Sequence, residues 1–171
     1  MKKFLKELYP YVIIVIVVVL FRIFIATPVR VSGDSMSSTL EHNDILILNK
    51  LDKNYKRFDI VVINANLLGN HDKIVKRIIG LPGEYIEYKD NELYIDGKKI
   101  EDVSVTRTGN FSLKELYNID VIPDNYYFVM GDNRTNSSDS RDYRIGLIKK
   151  SDILGKTKIR LFPFNKIGKF E

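Results

Sequence analysis

An unbroken apolar segment near the N-terminus constrains this chain more than any other feature. Residues 8–26 read LYPYVIIVIVVVLFRIFIA and carry a single charge, on Arg22. A helix of this length spans roughly 28 Å, close to the thickness of the hydrocarbon core of a bilayer. Pro10 lies in the predicted first turn, where its missing N–H costs little. The segment therefore predicts a membrane-spanning helix.

Two other interpretations of this segment remain open. Valine and isoleucine favour β-strands, although a strand of this length is unusual in a small domain. A basic start followed by an apolar run is also typical of a secretory signal sequence. The run is long for that role, and the residues that follow it, Ala26-Thr27-Pro28, lack a small-x-small cleavage site. We therefore expect a retained anchor.

The charge before the segment predicts its orientation. Residues 1–7 contain three lysines, and basic residues next to a membrane helix stay on the cytoplasmic side. We expect a single-pass protein of the cell membrane. It would have a cytoplasmic N-terminus over residues 1–7, a transmembrane helix over residues 8–26 and an extracytoplasmic domain over residues 27–171.

The remainder has the composition of one folded domain, and about 145 residues are enough to bury a core. The net charge is +5, but charges beyond the N-terminus are mixed in sign, which argues against a nucleic-acid partner.

The absence of cysteine excludes disulfides and thiolate chemistry. Two histidines, His42 and His71, lie among polar residues without metal-ligand spacing. We expect both to be exposed, and we expect no metal and no cofactor.

Short β-branched segments separated by turn residues follow Pro28. Asp96-Gly97 stands between two of them and predicts a two-residue hairpin turn. Ser112 is placed to cap a short helical turn. Other helical signals are sparse, so we expect a mainly β, antiparallel domain. Strands are predicted over residues 29–31, 45–48, 60–63, 73–79, 92–95, 98–100, 126–130 and 158–162, and helical turns over residues 112–116 and 151–154.

A nucleophile and a base are available without histidine. A serine hydroxyl needs a neighbouring group to accept its proton, and a lysine amine can do so when burial lowers its pKa. Lys76 lies in a β-branched stretch in which Ile74 and Ile78 would share its strand face. Taken singly, Ser35 and Lys76 would be ordinary exposed residues. Their importance depends on the sequence around them.

Four segments, in order, resemble the sequence boxes of type I signal peptidases. They are residues 33–40 (GDSMSSTL), 57–62 (RFDIVV), 76–84 (KRIIGLPGE) and 131–141 (GDNRTNSSDSR). The short chain with one anchor resembles the compact enzymes of Gram-positive bacteria. The resemblance implies a membrane-bound serine endopeptidase with a signal-peptidase-like β-rich fold. It also implies removal of N-terminal signal peptides from exported preproteins after small-x-small sites.

By this resemblance Ser35 is the nucleophile and Lys76 the general base. Ser137 would hydrogen-bond Lys76, and Asp139 and Arg141 would form a supporting ion pair.

The backbone N–H of Ser35 would stabilise the oxyanion. Some family members carry a hydroxyl where this chain has Gly33, so the second oxyanion donor remains open. The residues expected to brace the last box are Asp132, Asn133 and Arg134.

The substrate is expected to bind as an added β-strand along residues 27–34. Val31, Ser32 and Asp34 would contact it, and Met36 would line the inner pocket. Proline is common in the family where this chain has Ser38, so we expect a looser turn after the nucleophile. The expected partners are signal peptides, the lipid bilayer and the secretion translocon.

Three alternatives compete with this interpretation. The last box could form a calcium loop, since it offers side-chain oxygens, but it lacks the central glycine and terminal glutamate of an EF-hand. A self-cleaving Ser-Lys protein akin to the SOS repressors would carry a DNA-binding module and no anchor. An inactive tethered peptide-binding domain would keep the fold without the chemistry, and the intact Ser35 and Lys76 argue against it.

Overall fold

A computed structural model describes residues 2–64 and 73–170, with side chains from residue 6 onward. His71 lies outside the described residues. The chain opens with helix α1 (Lys2–Phe24), of which Lys6–Phe24 is long and apolar enough to cross a membrane. The helix ends two residues before the apolar segment does, because Ala26 already pairs with a neighbouring strand. It begins at Lys2 rather than at residue 8, so the prediction that Pro10 lies in the first turn is wrong.

Short antiparallel strands make up most of the remaining chain. A second helix, α2 (Leu113–Tyr117), and two 3-10 turns, Lys150–Asp152 and Phe164–Lys166, interrupt them. In the described residues the strands are β1 (Ala26–Arg30), β2 (Ile45–Asn49), β3 (Ile60–Asn64), β4 (Lys73–Gly80), β5 (Ile86–Lys89), β6 (Glu92–Ile95), β7 (Lys98–Ile100), β8 (Phe111–Ser112), β9 (Tyr126–Met130), β10 (Ile148–Lys149), β11 (Ile153–Phe162) and β12 (Gly168–Lys169).

The strands form two antiparallel sheets. The larger has the order β1-β2-β11-β3-β4-β9-β10, with β12 paired to β11, and the smaller has the order β7-β6-β5-β8. This confirms the mainly β, antiparallel domain behind one apolar helix. Within the described residues β1 is a terminal strand of the larger sheet, so one of its edges carries no partner. β4 lies inside that sheet, between β3 and β9.

Buried side chains cover both faces of the sheet around β3 and β4. On one face Val62 and Val75 pack with Met36 and Leu40. A second cluster contains Val61, Ile63, Ile78 and Val129, which alternate with the first set along the strands. A third cluster, around Ile79, Tyr88 and Phe128, joins the smaller sheet to the larger one. The middle of β4 is therefore shielded from water on both sides.

Two local predictions are confirmed in detail. Asp96 and Gly97 have φ of +51° and +75°, the combination that a primed two-residue hairpin turn requires. The hydroxyl of Ser112 accepts a hydrogen bond from the N–H of Glu115, whose side chain in turn accepts one from the N–H of Ser112. This capping box starts α2.

The prediction for residues 151–162 is wrong in part. A 3-10 turn ends at Asp152, and β11 begins at Ile153 instead of at residue 158. Gly155 obscures the strand pattern, yet a strand needs glycine there because an added Cβ would lie 2.2 Å from the carbonyl oxygen of Asn49. β5 was also missed, although its alternating sequence, Ile86-Glu87-Tyr88-Lys89, carries a strand signal.

Candidate active site

The structure brings Ser35 and Lys76 into contact. Nζ of Lys76 lies 2.7 Å from Oγ of Ser35. Ser35 belongs to the turn that follows β1, whereas Lys76 lies in the middle of β4 and pairs directly with Val61 of β3. The hydroxyl of Ser35 is half-buried, and Lys76 is only 3 % exposed to solvent.

Burial changes the chemistry of this amine. Loss of hydration lowers the pKa of Lys76 to about 8, against a partly opposing effect of the Asp139 carboxylate. Ile74 and Ile78, its neighbours on the strand face, pack into the apolar cluster around Val129. With a pKa of about 8, about a tenth of Lys76 is uncharged at pH 7. This is far more than for an exposed lysine, and an uncharged amine can accept a proton.

A tight turn holds Ser35 after β1. The N–H of Ser37 donates to the carbonyl of Asp34 at 3.0 Å, and that of Thr39 donates to Met36 at 3.1 Å. Ser38, the third residue of the Met36–Thr39 turn, has φ of +92°, as in type II turns. Proline cannot adopt this φ. The looser turn expected from Ser38 is therefore not observed, because this chain closes a turn that excludes proline at that position.

We expect Ser38→Gly to raise the free energy of unfolding by about 0.5–1 kcal/mol, because glycine adopts positive φ without strain. Ser38→Pro should lower it by about 2–3 kcal/mol, since its ring would force the turn open. Thermal unfolding in detergent measures both. Ser138→Gly, at an exposed serine without positive φ, is the control, and stabilisation of similar size there would contradict the argument.

The last box packs directly against this turn. The N–H of Asn133 donates to the carbonyl of Ser35 at 3.0 Å. The side-chain amide of Asn133 donates to the carbonyl of Asp34 at 3.2 Å and to Oγ of Ser37 at 3.0 Å. Asn133 therefore fixes the backbone on both sides of the nucleophile rather than only bracing its own loop.

A buried ion pair ties this loop to β4. Two nitrogens of the Arg77 guanidinium, Nε and Nη2, donate to the Asp132 carboxylate at 2.8 and 2.7 Å. The hydroxyl of Thr39 donates to the same carboxylate at 2.6 Å. Asp132 thus connects the strand of Lys76 with the turn of Ser35. Sequence reasoning missed Arg77 and Thr39, although Arg77 directly follows the candidate base.

Arg134 joins the loop to the smaller sheet. It forms a bidentate pair with Asp102, in which Nη2 and Oδ1 are 2.9 Å apart. Nη1 also donates to the hydroxyls of Tyr88 at 2.7 Å and Thr108 at 3.0 Å. The guanidinium is fully buried, so these partners replace its hydration. No sequence signal distinguished Asp102 from other acidic residues.

Asp139 and Arg141 form the ion pair that the resemblance implied, with Nη2 and Oδ2 2.8 Å apart. Burial alone would raise the pKa of Asp139, but the hydrogen bonds from Arg141 hold it below its usual range. The same carboxylate accepts the N–H of Gly131 at 3.0 Å. Asp132 and Asp139 are thus engaged by arginines, which disfavours the calcium-loop alternative.

Ser137 differs from expectation. Its buried hydroxyl forms no hydrogen bond to Lys76 within the described residues. The hydroxyl lies beside the Asp139 carboxylate and helps to hold the pKa of that group down. It packs instead against Gly131, where an added Cβ would lie 2.3 Å from Oγ of Ser137 and 2.3 Å from the carbonyl oxygen of Ser35. The missing side chain of Gly131 allows the last box to approach the nucleophile.

Comparison with known proteins shows the family of this chain. A sequence profile of the family described as signal peptidase, peptidase S26, matches residues 3–162. The chain belongs to this family. It is 41 % identical over 168 residues to signal peptidase I S of Bacillus subtilis (strain 168), covering 92 % of this chain and 89 % of that protein. It is 37 % identical over 184 residues to signal peptidase IB of Staphylococcus aureus, covering 94 % and 93 %.

A crystal structure of a signal peptidase I from Enterococcus faecalis V583 has a similar fold. The TM-score is 0.53 at 34 % sequence identity, over 60 % of this chain and 96 % of that one. The chain is therefore a serine endopeptidase of the signal peptidase family, the class of enzyme that removes signal peptides from preproteins.

The residues assigned to the substrate side of this signal peptidase fall into two groups. Ser32 and Asp34 are exposed beside the free edge of β1, as is Gly33 between them, at the expected oxyanion position. Val31 and Met36 are buried in the core cluster that contains Leu46 and Leu48. The open pocket lined by Met36 is therefore not observed, since its side chain supports the nucleophile turn from the core.

His42 is exposed, as expected, but it has a specific contact in this signal peptidase. Its Nδ1 accepts a hydrogen bond from the N–H of Gly33 at 3.1 Å. Gly33 has φ of +84°, which bends the chain towards Ser35. The N–H of Gly33 is consequently engaged and is not available as the second oxyanion donor.

Proposed function

We propose that this endopeptidase removes signal peptides from exported preproteins by a Ser-Lys mechanism at the outer face of the cell membrane. The observation that carries the proposal is the 2.7 Å contact between Oγ of Ser35 and Nζ of Lys76. An amine that burial deprives of hydration is suited to accept the serine proton. This contact also disfavours the inactive-domain alternative, because both reactive atoms are in position to act.

The reaction uses the two residues in sequence. Oγ of Ser35 attacks the scissile carbonyl carbon while neutral Lys76 accepts the hydroxyl proton. The tetrahedral intermediate collapses, and the ammonium of Lys76 returns that proton to the departing amine. Water then attacks the acyl-enzyme, with Lys76 accepting a proton from the water and returning it to Oγ of Ser35. The products are the signal peptide with a free carboxylate and the mature protein with a free amine.

The oxyanion requires hydrogen-bond donors near Ser35. The N–H of Ser35 donates no hydrogen bond within the described residues, so it is free for this role. The N–H groups of Gly33 and Asn133 are engaged elsewhere. We assign the first oxyanion donor to the N–H of Ser35. The second donor is a group other than the N–H groups of Gly33 and Asn133.

The free edge of β1 supports strand addition as the mode of substrate binding. The N–H of Val31 donates to Asp44 at 2.8 Å, and its carbonyl accepts from Asn43 at 3.0 Å. Polar groups of consecutive residues in an extended strand point to opposite sides. The N–H and carbonyl of Arg30 and Ser32 therefore point to the unpaired side, where an extended substrate can pair with them on its way to Ser35.

The surrounding residues would act by holding this geometry. Val31 and Met36 fix the turn from the core, while Asp34 borders the substrate edge. Asp132, Asn133 and Arg134 secure the last box, and the Asp139–Arg141 pair sets the charge near Lys76. Ser137 would hold Gly131 in place beside the nucleophile turn by packing against it.

Localisation follows from the helix and its flanking charge. α1 would anchor the chain once in the cell membrane, with the N-terminus in the cytoplasm and the domain from residue 27 onward outside. Anchoring raises the effective concentration of the enzyme towards preproteins in the same bilayer. The translocon is a further partner in this proposal, because it delivers preproteins to that face.

Cleavage of a preprotein tests the proposal directly. Purified full-length protein in detergent should cut a preprotein after its small-x-small site, as read by mass spectrometry of the new N-terminus. A preprotein with arginine at both small positions is the matched control and should remain intact. Folded wild-type protein that cuts none of several preproteins would refute the proposed function and favour the peptide-binding alternative.

The activity should depend on pH through Lys76. Because only the uncharged amine accepts the serine proton, kcat/KM should rise about tenfold per pH unit at low pH. It should level off above the Lys76 pKa of about 8. A pH series on one peptide substrate measures this, with circular dichroism as a check that the fold persists. A plateau that already begins near pH 6 would contradict the assignment of Lys76 as the base.

A further inference from the structure

The junction between helix α1 and strand β1 contains no flexible linker. Only Ile25 separates Phe24, the last helical residue, from Ala26, the first strand residue. From Ala26 onward the chain pairs with β2 over the whole length of β1. The helix therefore continues directly into the edge strand that leads to Ser35.

Lys50, the residue directly after β2, closes this junction. Its Nζ donates to the carbonyls of Arg22 at 2.9 Å and Ile23 at 3.0 Å, and its N–H donates to Ile25 at 3.0 Å. The hydroxyl of Thr27 donates to Arg22 at 2.6 Å. The last carbonyls of a helix have no partner within it, and the helix dipole favours an ammonium there. Lys50 therefore ties the helix to the sheet.

We infer that this clamp, formed by Lys50 and Thr27, fixes the height of Ser35 above the bilayer and thereby selects which bond of a preprotein is cut. The inference rests on the proposed function and adds a specificity determinant to it. The chain from Ala26 to Ser35 reaches at most about 30 Å. The N-terminal end of this segment is held against the helix. Ser35 therefore stays at one height above the bilayer rather than moving over a range of heights.

A signal peptide in the same bilayer meets this fixed height. Successive bonds beyond its apolar segment lie about 3.3 Å further from the membrane per extended residue. Several of these bonds can follow small residues, so sequence alone leaves more than one site. A clamped enzyme matches one of them, whereas an enzyme that tilts on a hinge reaches its neighbours as well.

The test uses full-length protein in phospholipid vesicles and a preprotein with three small-x-small sites spaced two residues apart. We expect wild-type protein to cut mainly at one of them. Lys50→Met removes the ammonium but keeps the side-chain length, and it should raise the share cut at the other two about fivefold. Lys50→Arg should restore most of the selectivity, since it keeps a cationic donor.

Two controls separate the clamp from general effects. Lys149→Met changes an exposed lysine without a side-chain partner in the described part of the chain, and it should leave the distribution of cuts unchanged. A short peptide in detergent is not held at a fixed distance from a bilayer. Lys50→Met should therefore hydrolyse such a peptide at the same rate as wild-type protein does. If that variant fails to fold, two glycines inserted between Ile25 and Ala26 should broaden the cuts instead.

The outcomes are distinguishable. An unchanged distribution of cuts in folded Lys50→Met, or in the glycine insertion when it replaces that variant, overturns the inference while the proposed function stands. Absence of preprotein cleavage by wild-type protein refutes the proposed function and, with it, the clamp as a determinant of cleavage position.

Discussion

Lys76→Met is expected to lower kcat for preprotein cleavage by about 10³-fold or more. Methionine matches the length of lysine but cannot accept the proton of the Ser35 hydroxyl, which lies 2.7 Å from Nζ. Ser35→Ala should have an effect of the same size. The loss should not reflect unfolding, because an apolar side chain suits this buried position at least as well as an amine does. Initial rates and thermal unfolding, measured together, separate the two causes.

Matched variants sharpen this prediction. Lys73→Met changes an exposed lysine on the same strand, and Ser138→Ala changes an exposed serine of the last box. Both should retain activity close to that of wild-type protein. The double variant Ser35→Ala/Lys76→Met should be no less active than either single one, because the two residues act as a unit. More than a tenth of wild-type activity in Lys76→Met would contradict the proposed base.

Gly131→Ala should reduce activity about 10²-fold and lower the free energy of unfolding by about 1–3 kcal/mol. The new methyl group would lie 2.3 Å from the carbonyl oxygen of Ser35 and from Oγ of Ser137. The Ser35 carbonyl cannot retreat easily, because the N–H of Asn133 holds it at 3.0 Å. The turn would therefore shift and carry Oγ of Ser35 away from Lys76.

Gly109→Ala provides the control for this substitution. An added Cβ at Gly109 meets nothing within 4 Å, so activity and stability should both stay near those of wild-type protein. Kinetics on one peptide substrate and thermal unfolding provide the readouts. Activity of Gly131→Ala within twofold of wild-type protein would mean that close packing of the last box does not determine the position of Ser35.

The sequence predicted the parts of the fold that depend on local pattern. The apolar segment, the Asp96-Gly97 hairpin and the Ser112 cap each follow from a few adjacent residues. The position of Lys76 on a β-branched strand also predicted an apolar environment. These features share a property: neighbouring residues in the chain determine them.

Other features of the site arise from contacts between distant segments. Asp102 reaches Arg134 only because the smaller sheet folds onto the last box. Arg77 of β4 reaches Asp132 because the neighbouring strand β9 ends beside it. Met36 is buried because the turn packs onto the core, so its side chain cannot line an open pocket. The hydroxyl of Ser137 lies where packing against Gly131 places it, and no local pattern encodes that position.

The unpaired side of β1 has a consequence for the fate of exported proteins. A segment can pair there only if it is already extended and has surrendered its own backbone hydrogen bonds. Compact mature domains satisfy those bonds internally, so they would escape hydrolysis even when they linger beside the bilayer. The enzyme would then distinguish a signal peptide from a folded mature domain without a lid, because only an extended backbone can pair with β1.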